Sequence, residues 1–242
     1  MKVIDAYWEK RNLGVKTIEI EFENSEVISD FILKLEKIKD AQYIVLKVPT
    51  GEFELYNELN KNGFYYIESS IQISLSIKDY LLPKKIQKIN NLISYHLVDS
   101  SRIDSLCNEI RKGVFSTDRI ALDNNFGKDI SNKRYCNWIN DEYRNNNNNI
   151  FEIRFGEKEI GFFGIKEKSN LTYEIFLGGI YLEMQNFGLG FSIITKSIEE
   201  IITRNGKQLI THVSSNNIPI IRLYTQLGFS PVEIKNVFIK HL

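Results

Sequence analysis

Apolar residues recur along this chain with two periods, and the switches between them mark its elements. Ile18 and Ile20 alternate with polar neighbours over 16–22, which predicts a strand. Ile28, Phe31, Ile32 and Leu35 then fall at i, i+3, i+4 and i+7, sharing one face of a helix that Ser25 is placed to cap. A strand over 43–48, a helix over 52–61 and an alternating extended segment over 64–77 complete an α/β unit. Residues 83–91, opened by Pro83 and charged at Lys84 and Lys85, have little to bury and read as a linker.

The pattern restarts with a strand over 93–98. Ile103, Leu106, Cys107 and Ile110 then share a face of a helix capped by Ser100 or Ser101, which makes Cys107 a core residue by spacing. A helix over 129–143 turns Trp138 and Ile139 inward, and strands are expected over 150–155, 159–166 and 171–182 with tight turns at 156–158 and 169–170. A helix over 191–203, a strand over 208–213, a helix carrying Tyr224 and a terminal pair of strands over 231–241 follow. The expected organisation is a smaller unit over 1–82, a linker over 83–91 and a larger unit over 92–242.

Composition narrows the partners. With 242 residues, 43% of them hydrophobic, the chain can bury a proper core and is long enough for about one and a half folding units. Thirty-one basic and 31 acidic residues leave no net field for nucleic acid or an anionic membrane, so a small-molecule partner is expected. Cys107 and Cys136 lack the spaced partners of a metal site or disulfide scaffold, which points to no metal and a reducing cytoplasm. No run approaches a membrane span and residues 1–5 carry charge, so a soluble, unprocessed protein is expected. The five asparagines of 145–149 read as a solvated turn without a function.

Two segments carry chemistry. Gln185, Asn186, Phe187, Gly188, Leu189 and Gly190 leave a strand and open a helix. A glycine-rich turn there lets backbone N–H groups converge on an anion, helped by the positive end of the helix dipole. Later come Asn217, Arg222, Leu223 and Tyr224 on one helix, then Gly228 and Phe229. Together the segments resemble the GNAT family of acyl-CoA N-acyltransferases, with its Q/R-x-x-G-x-G/A turn and its later N-x-x-x-x-x-x-Y-x-x-x-G-F helix. The resemblance covers residues 149–242 and implies a C-terminal GNAT fold with a mixed central sheet, using acetyl-CoA as donor to a primary amine. Leu55, Tyr56, Gly63, Phe64 and Glu68 echo Leu223, Tyr224, Gly228, Phe229 and Glu233. The first unit therefore reads as a truncated GNAT-like α/β copy that binds no cofactor, with Tyr56 a packing residue.

The resemblance also assigns roles. Main-chain N–H groups of 185–190 would hold the pyrophosphate of coenzyme A, Ile180 the acetyl carbonyl, and Leu182 and Asn217 the pantetheine arm. An Asn before a helix is also an ordinary N-cap. Tyr224 would protonate the leaving thiolate, a phenol of pKa about 10 facing a thiol of about 8.5. Arg222 either reaches a phosphate or lies in solvent. Gly178 and Gly179 fit either a bulge that frees an N–H or relief of crowding. No general base is evident, although Glu174, Glu183 and His212 lie near the right elements.

Residues 115–126 form a long polar-aromatic loop of the kind that often covers a substrate. Phe115, Arg119, Phe126, Arg134, Tyr135, Trp138 and Ile139 follow an order that resembles the dTDP-4-amino-4,6-dideoxygalactose acetyltransferases. That resemblance implies a nucleotide-linked 4-amino sugar as acceptor, for surface polysaccharide synthesis, with Phe115, Asp118, Arg119 and Glu174 as candidate contacts. Leu223 departs from it, standing where a basic residue is expected. For Asp118 and Arg119 a loop salt bridge is the alternative. Transfer to a protein N-terminus, lysine, polyamine or antibiotic, or a non-catalytic acyl-CoA-binding module, are the competing functions; a homodimer is compatible with any of them.

Overall fold

The computed structural model describes residues 1–23, 26–78 and 80–242, so the cap expected of Ser25 lies outside the described residues. The first half runs β1 (Lys2–Asp5), α1 (Trp8–Leu13), β2 (Thr17–Glu21), α2 (Ile28–Glu36), β3 (Tyr43–Pro49), α3 (Phe53–Lys61) and β4 (Tyr65–Ser76). The second runs α4 (Lys84–Asn90), β5 (Ile93–Leu97), α5 (Ile103–Arg111), α6 (Arg119–Leu122), α7 (Gly127–Asn145), β6 (Ile150–Phe155), β7 (Lys158–Ser169) and β8 (Thr172–Ile180). It ends with α8 (Phe191–Thr203), β9 (Gln208–Ser214), α9 (Ile218–Gln226) and β10 (Ser230–His241).

Amphipathic spacing explains the helices. Phe31 and Leu35 of α2 are buried, with Ile28 and Ile32 packed against the same cluster. Ile103, Leu106, Cys107 and Ile110 of α5 are all buried against α7 and the sheet. Neither Ser100 nor Ser101 caps α5: Asp99 takes both the N–H and the hydroxyl of Ser101, which turns the chain one residue before the helix begins.

The strands form one sheet in the order β1-β2-β3-β10-β4-β9-β8-β7-β6-β5. It is mixed, with β2–β3 and β8–β9 parallel and the other neighbours antiparallel. The two halves exchange strands. β10 lies between β3 and β4, pairing Val237 with Lys47 on one side and with Glu68 on the other. β4 in turn separates β10 from β9, with Ser70 opposite Ser214. What reads as two successive units is therefore one sheet in which each half surrounds a strand of the other.

Three expectations need correction. Residues 83–91 contain a helix, α4, because Ile86 packs on the main core and buried Asn90 bonds Thr195 and Glu199 of α8. β8 stops at Ile180, two residues early, since Leu182 lies in a 3₁₀ turn. The terminal pair of strands is the single strand β10, which absorbs its irregularity as register shifts against β4 after Pro231 and Val237. β1 and α1 have no counterpart among the predicted elements.

Candidate active site

β8 and β9 are hydrogen-bonded from Thr172↔Gln208 to Ile175↔Thr211 and no further, although β8 continues to Ile180 and β9 to Ser214. Beyond that point they diverge, while each stays held on its far side. β8 stays paired with β7 as far as Ile180, and β9 stays paired with β4 as far as Ser214. The other parallel pair, β2 and β3, keeps contact from Thr17 to Glu21 and opens no such wedge.

A cleft of about 880 Å³ occupies the wedge. Its walls are Phe176, Leu177 and Gly178 of β8, His212, Val213 and Ser214 of β9, and Asn217, Ile220 and Tyr224 of α9. Phe115, Tyr135 and Trp138 form an aromatic side, with Phe115 and Tyr135 centroids 4.2 Å apart. The half before α4 contributes Trp8, Glu19, Lys47 and Glu68.

Tyr224 is buried, packed edge-to-face on Phe229 with centroids 4.8 Å apart. Burial pushes its phenol well above the usual tyrosine range, partly offset by Thr211 beside it, so the hydroxyl keeps its proton. Asn217 caps α9 by accepting from the Ile220 N–H at 3.3 Å and also lines the cleft. Arg222 points to solvent and is not part of the cleft wall.

The turn over 185–190 leaves most of its backbone donors open. Asn186 and Gly188 have φ of 69° and 75°, the left-handed conformation that glycine adopts most easily. No Cβ neighbour lies within 4 Å at Gly188, so the space above the turn is open. Among the described residues, the N–H groups of Asn186, Phe187, Gly188, Leu189 and Gly190 have no hydrogen-bond acceptor. Gln185 folds back, its amide donating to the Ile180 carbonyl at 3.2 Å. Phe187 is exposed, and Leu189 packs partly on the core. These residues fit a diphosphate.

The Tyr181 N–H donates to Ile160 on the β7 side, so by strand alternation the Ile180 N–H faces the wedge, where β9 is no longer its neighbour. The bulge expected at Gly178 and Gly179 lies elsewhere. The β7–β8 register slips at Phe176, whereas Gly178 and Gly179 pair regularly with Phe163 and Phe162. Those glycines relieve crowding: a Cβ would come within 2.7 Å of Ile193 at Gly178 and 2.5 Å of Val114 at Gly179. Leu182 is outside the cleft wall.

The loop over 115–126 is not a flap. Asp118 caps α6 by accepting from Ile120 and Ala121, and its second oxygen accepts from the Ser131 hydroxyl at 2.7 Å. Ile120 is fully buried against Tyr43, Val45 and Val237. Asn132 holds both the N–H and the carbonyl of Phe115. Arg119 pairs with Glu19 at 2.6 Å and approaches Glu9 at 3.8 Å, so it is a salt-bridge residue, whereas Asp118 forms no ion pair among the described residues and serves as a cap.

Seven carboxylates line the cleft, from Glu19, Glu21, Glu68, Asp118, Asp141, Glu142 and Glu174, against the four cations Arg11, Lys47, Arg119 and Arg134. Each cation is already paired: Arg11 with Asp141, Lys47 and Arg119 with Glu19, and Arg134 with Glu9. Glu174 is held by His212 at 3.2 Å and Lys168 at 3.4 Å. Burial raises its carboxyl, but His212 and Lys168 outweigh that and leave it below the usual range. Glu183 is exposed and outside the cleft.

Sequence reasoning missed Glu68, which is only 7% exposed and lines the cleft from β4. Its only sequence signal was its echo of Glu233. Among the described residues no group of His, Cys, Asp and Glu is arranged to hold a metal, and no helix is long and apolar enough to cross a membrane.

Residues 172–239 match the FR47-like protein family. The chain is 27% identical over 85 residues to a mycothiol acetyltransferase of Corynebacterium glutamicum, a span of 35% of this chain and 29% of that protein. In three dimensions it is similar to a GCN5-related N-acetyltransferase from Sphaerobacter thermophilus, with TM-score 0.66 and 8% identity over 99% of this chain and 75% of the other. A tandem GNAT protein from the clavulanic acid biosynthesis pathway aligns with TM-score 0.57 and 11% identity, covering 93% and 75% of the two chains. The FR47-like match lies over the splayed parallel pair and the open glycine turn, and the fold as a whole is similar to that of GCN5-related N-acetyltransferases.

Proposed function

We propose that this protein transfers the acetyl group of acetyl-CoA to the primary amine of a small molecule. The observation that carries this reading is the wedge between β8 and β9, with the open N–H groups of 185–190 near its β8 end and buried Tyr224 in its wall. In this reading those N–H groups and the N-terminus of α8 hold the pyrophosphate. Ile180 N–H holds the thioester carbonyl, where a fixed donor stabilises developing negative charge. Asn217 bonds the pantetheine arm, and Tyr224 presents its proton to the departing sulfur. Leu182 and Arg222 take at most a peripheral part, since neither reaches the cleft.

The order of residues over 115–139 suggests a nucleotide-linked 4-amino-4,6-dideoxysugar as acceptor, and the Phe115, Tyr135 and Trp138 wall suits a sugar or base face. A second reading has its own observation. The cleft is net acidic and its four cations are already paired, which favours a positively charged amine without a nucleotide diphosphate. Thiol release from acetyl-CoA, measured over a panel of nucleotide-linked amino sugars, free amino sugars, polyamines and peptides, separates the two. Turnover confined to sugar nucleotides supports the first. Turnover on cationic amines alone supports the second, and acetyl-CoA binding with no turnover on any amine overturns both.

A further inference from the structure

The half of the molecule before α4 looks like a support for the wedge, yet it places one carboxylate inside the cleft without neutralising it. Glu68 lies on β4, opposite Val237 of β10 and two residues before Ser70, which pairs with Ser214 at the diverging end of β9. It is 7% exposed, and among the described residues its Oε2 has no hydrogen-bond partner. An unpartnered carboxylate oxygen at that depth is costly unless a ligand completes it. The other cleft carboxylates in reach of the wedge are engaged: Glu174 by His212 and Lys168, Asp118 by α6 and Ser131.

We propose that Glu68 is the general base that deprotonates the acceptor ammonium, an inference that rests on the acetyltransfer reading above. The groups facing it are the Ser214 hydroxyl of β9, Arg119 of α6 through both its main-chain N–H and its charge, Asp118 before α6, and Tyr135 of α7. Burial, the dominant influence, and Asp118 raise its carboxyl; Ser214 and Arg119 oppose them, and the balance lies above the ordinary carboxylate range. A carboxylate raised in this way is better matched to an ammonium at neutral pH than the paired Glu174.

The step balances as follows. Glu68 takes one proton from the ammonium and frees the nitrogen lone pair. The N–C bond then forms as the thioester C–S bond breaks, and sulfur leaves with the bonding pair and the Tyr224 proton. The second nitrogen proton passes to solvent, from which Tyr224 is restored, and Glu68 releases the first. Ammonium and thioester thus yield amide, thiol and one proton.

The test compares the full-length wild type, Glu68→Gln and Glu68→Asp, using an amine that the wild type acetylates. Glu68→Gln should lower kcat/KM for the amine by about 10²-fold or more. Its acid limb should move up to the pKa of the free amine, while acetyl-CoA affinity measured by calorimetry stays unchanged. Glu68→Asp, which keeps the charge but shortens the reach, should recover part of the rate and the original limb. Should Glu68→Gln fail to fold, the Glu68→Asp pH profile still decides: a limb at the wild-type position with reduced kcat supports the base. Wild-type kcat/KM and an unmoved profile in folded Glu68→Gln, or full wild-type kcat/KM in Glu68→Asp, overturns it. No wild-type turnover on any amine overturns the acetyltransfer reading itself.

Discussion

At the scale of single residues, the chemistry of the wedge depends on what burial does to a proton. Tyr224 is packed beneath Phe229, and burial pushes its phenol above the usual tyrosine range, so the hydroxyl holds its hydrogen at neutral pH and has a proton to offer. Tyr224→Phe removes that donor with little change in volume. It should cut kcat by about 10²-fold while leaving acetyl-CoA binding intact, which stopped-flow turnover and calorimetry would separate; equal turnover would remove the donor role. Gly178 makes a steric prediction instead. Gly178→Ala would drive a Cβ to 2.7 Å from Ile193 on α8, forcing helix and strand apart. A loss of about 1–3 kcal/mol is expected from such overpacking, read from the thermal midpoint and accompanied by weaker acetyl-CoA binding.

At the scale of elements, α1, α6, α7 and the β2–β3 pair are locked by a buried ionic cluster. Glu9 of α1 accepts from Arg134 of α7 at 2.7 Å, and Glu19 of β2 takes Arg119 of α6 and Lys47 of β3. Burial alone would raise the Glu19 carboxyl, but Arg119 and then Lys47 outweigh it and hold it down at about 2. The folded value lies below that of the unfolded chain, about 4.3, so the native state prefers the ionised form. Its contribution is complete above roughly pH 4.5 and is lost as pH falls from there towards about 2. Urea midpoints measured across that window should fall for the wild type, and Glu19→Gln should flatten the fall. Arg119→Met removes the cation that Glu19 and Glu9 share, leaving each acid one remaining partner, Lys47 and Arg134, and should cost about 3 kcal/mol, measured by denaturation at neutral pH.

This scale also shows what the sequence made legible. The faces of α2, α5 and α8 followed from apolar spacing, because a helix buries a stripe that local order alone defines. The turn at 185–190 and the helix carrying Tyr224 were legible as local structure, because a short motif demands particular residue types. Strand partners were not. Nothing near Val237 announces that it will sit between Lys47 and Glu68, since antiparallel pairing depends on distant segments. Glu68 was hidden for the same reason, and the charged stretch opening at Lys84 concealed a helix because Ile86 and Asn90 find their contacts on α8 and the main core. The protein partners of Asp118 and Arg119 were hidden too, since they lie far off in sequence or in a neighbouring helix.

At the scale of the whole molecule, exchange of β4 and β10 makes the halves interdependent. Deleting residues 1–91 would leave β9 and β10 without β4 and expose long strand edges, a hazard for aggregation. Residues 92–242 alone should therefore be insoluble or unfolded, and residues 1–91 alone should lack ordered structure by amide exchange. In the full chain, Trp8 of α1 and Trp138 of α7 report on opposite halves. Fluorescence of Trp138→Phe, which isolates Trp8, should coincide with the circular dichroism transition in one cooperative unfolding step. Two separate transitions would show that the halves hold together independently.

Strand exchange also sets a timetable during synthesis. At roughly 5–20 residues per second, β10 leaves the ribosome about ten seconds or more after β4. Throughout that interval β3 and β4 lack the strand that will separate them, and their apolar faces and unpaired edges stand open. The sheet that frames the wedge is therefore continuous only once β10 is in place, and until then the emerging chain carries open strand edges.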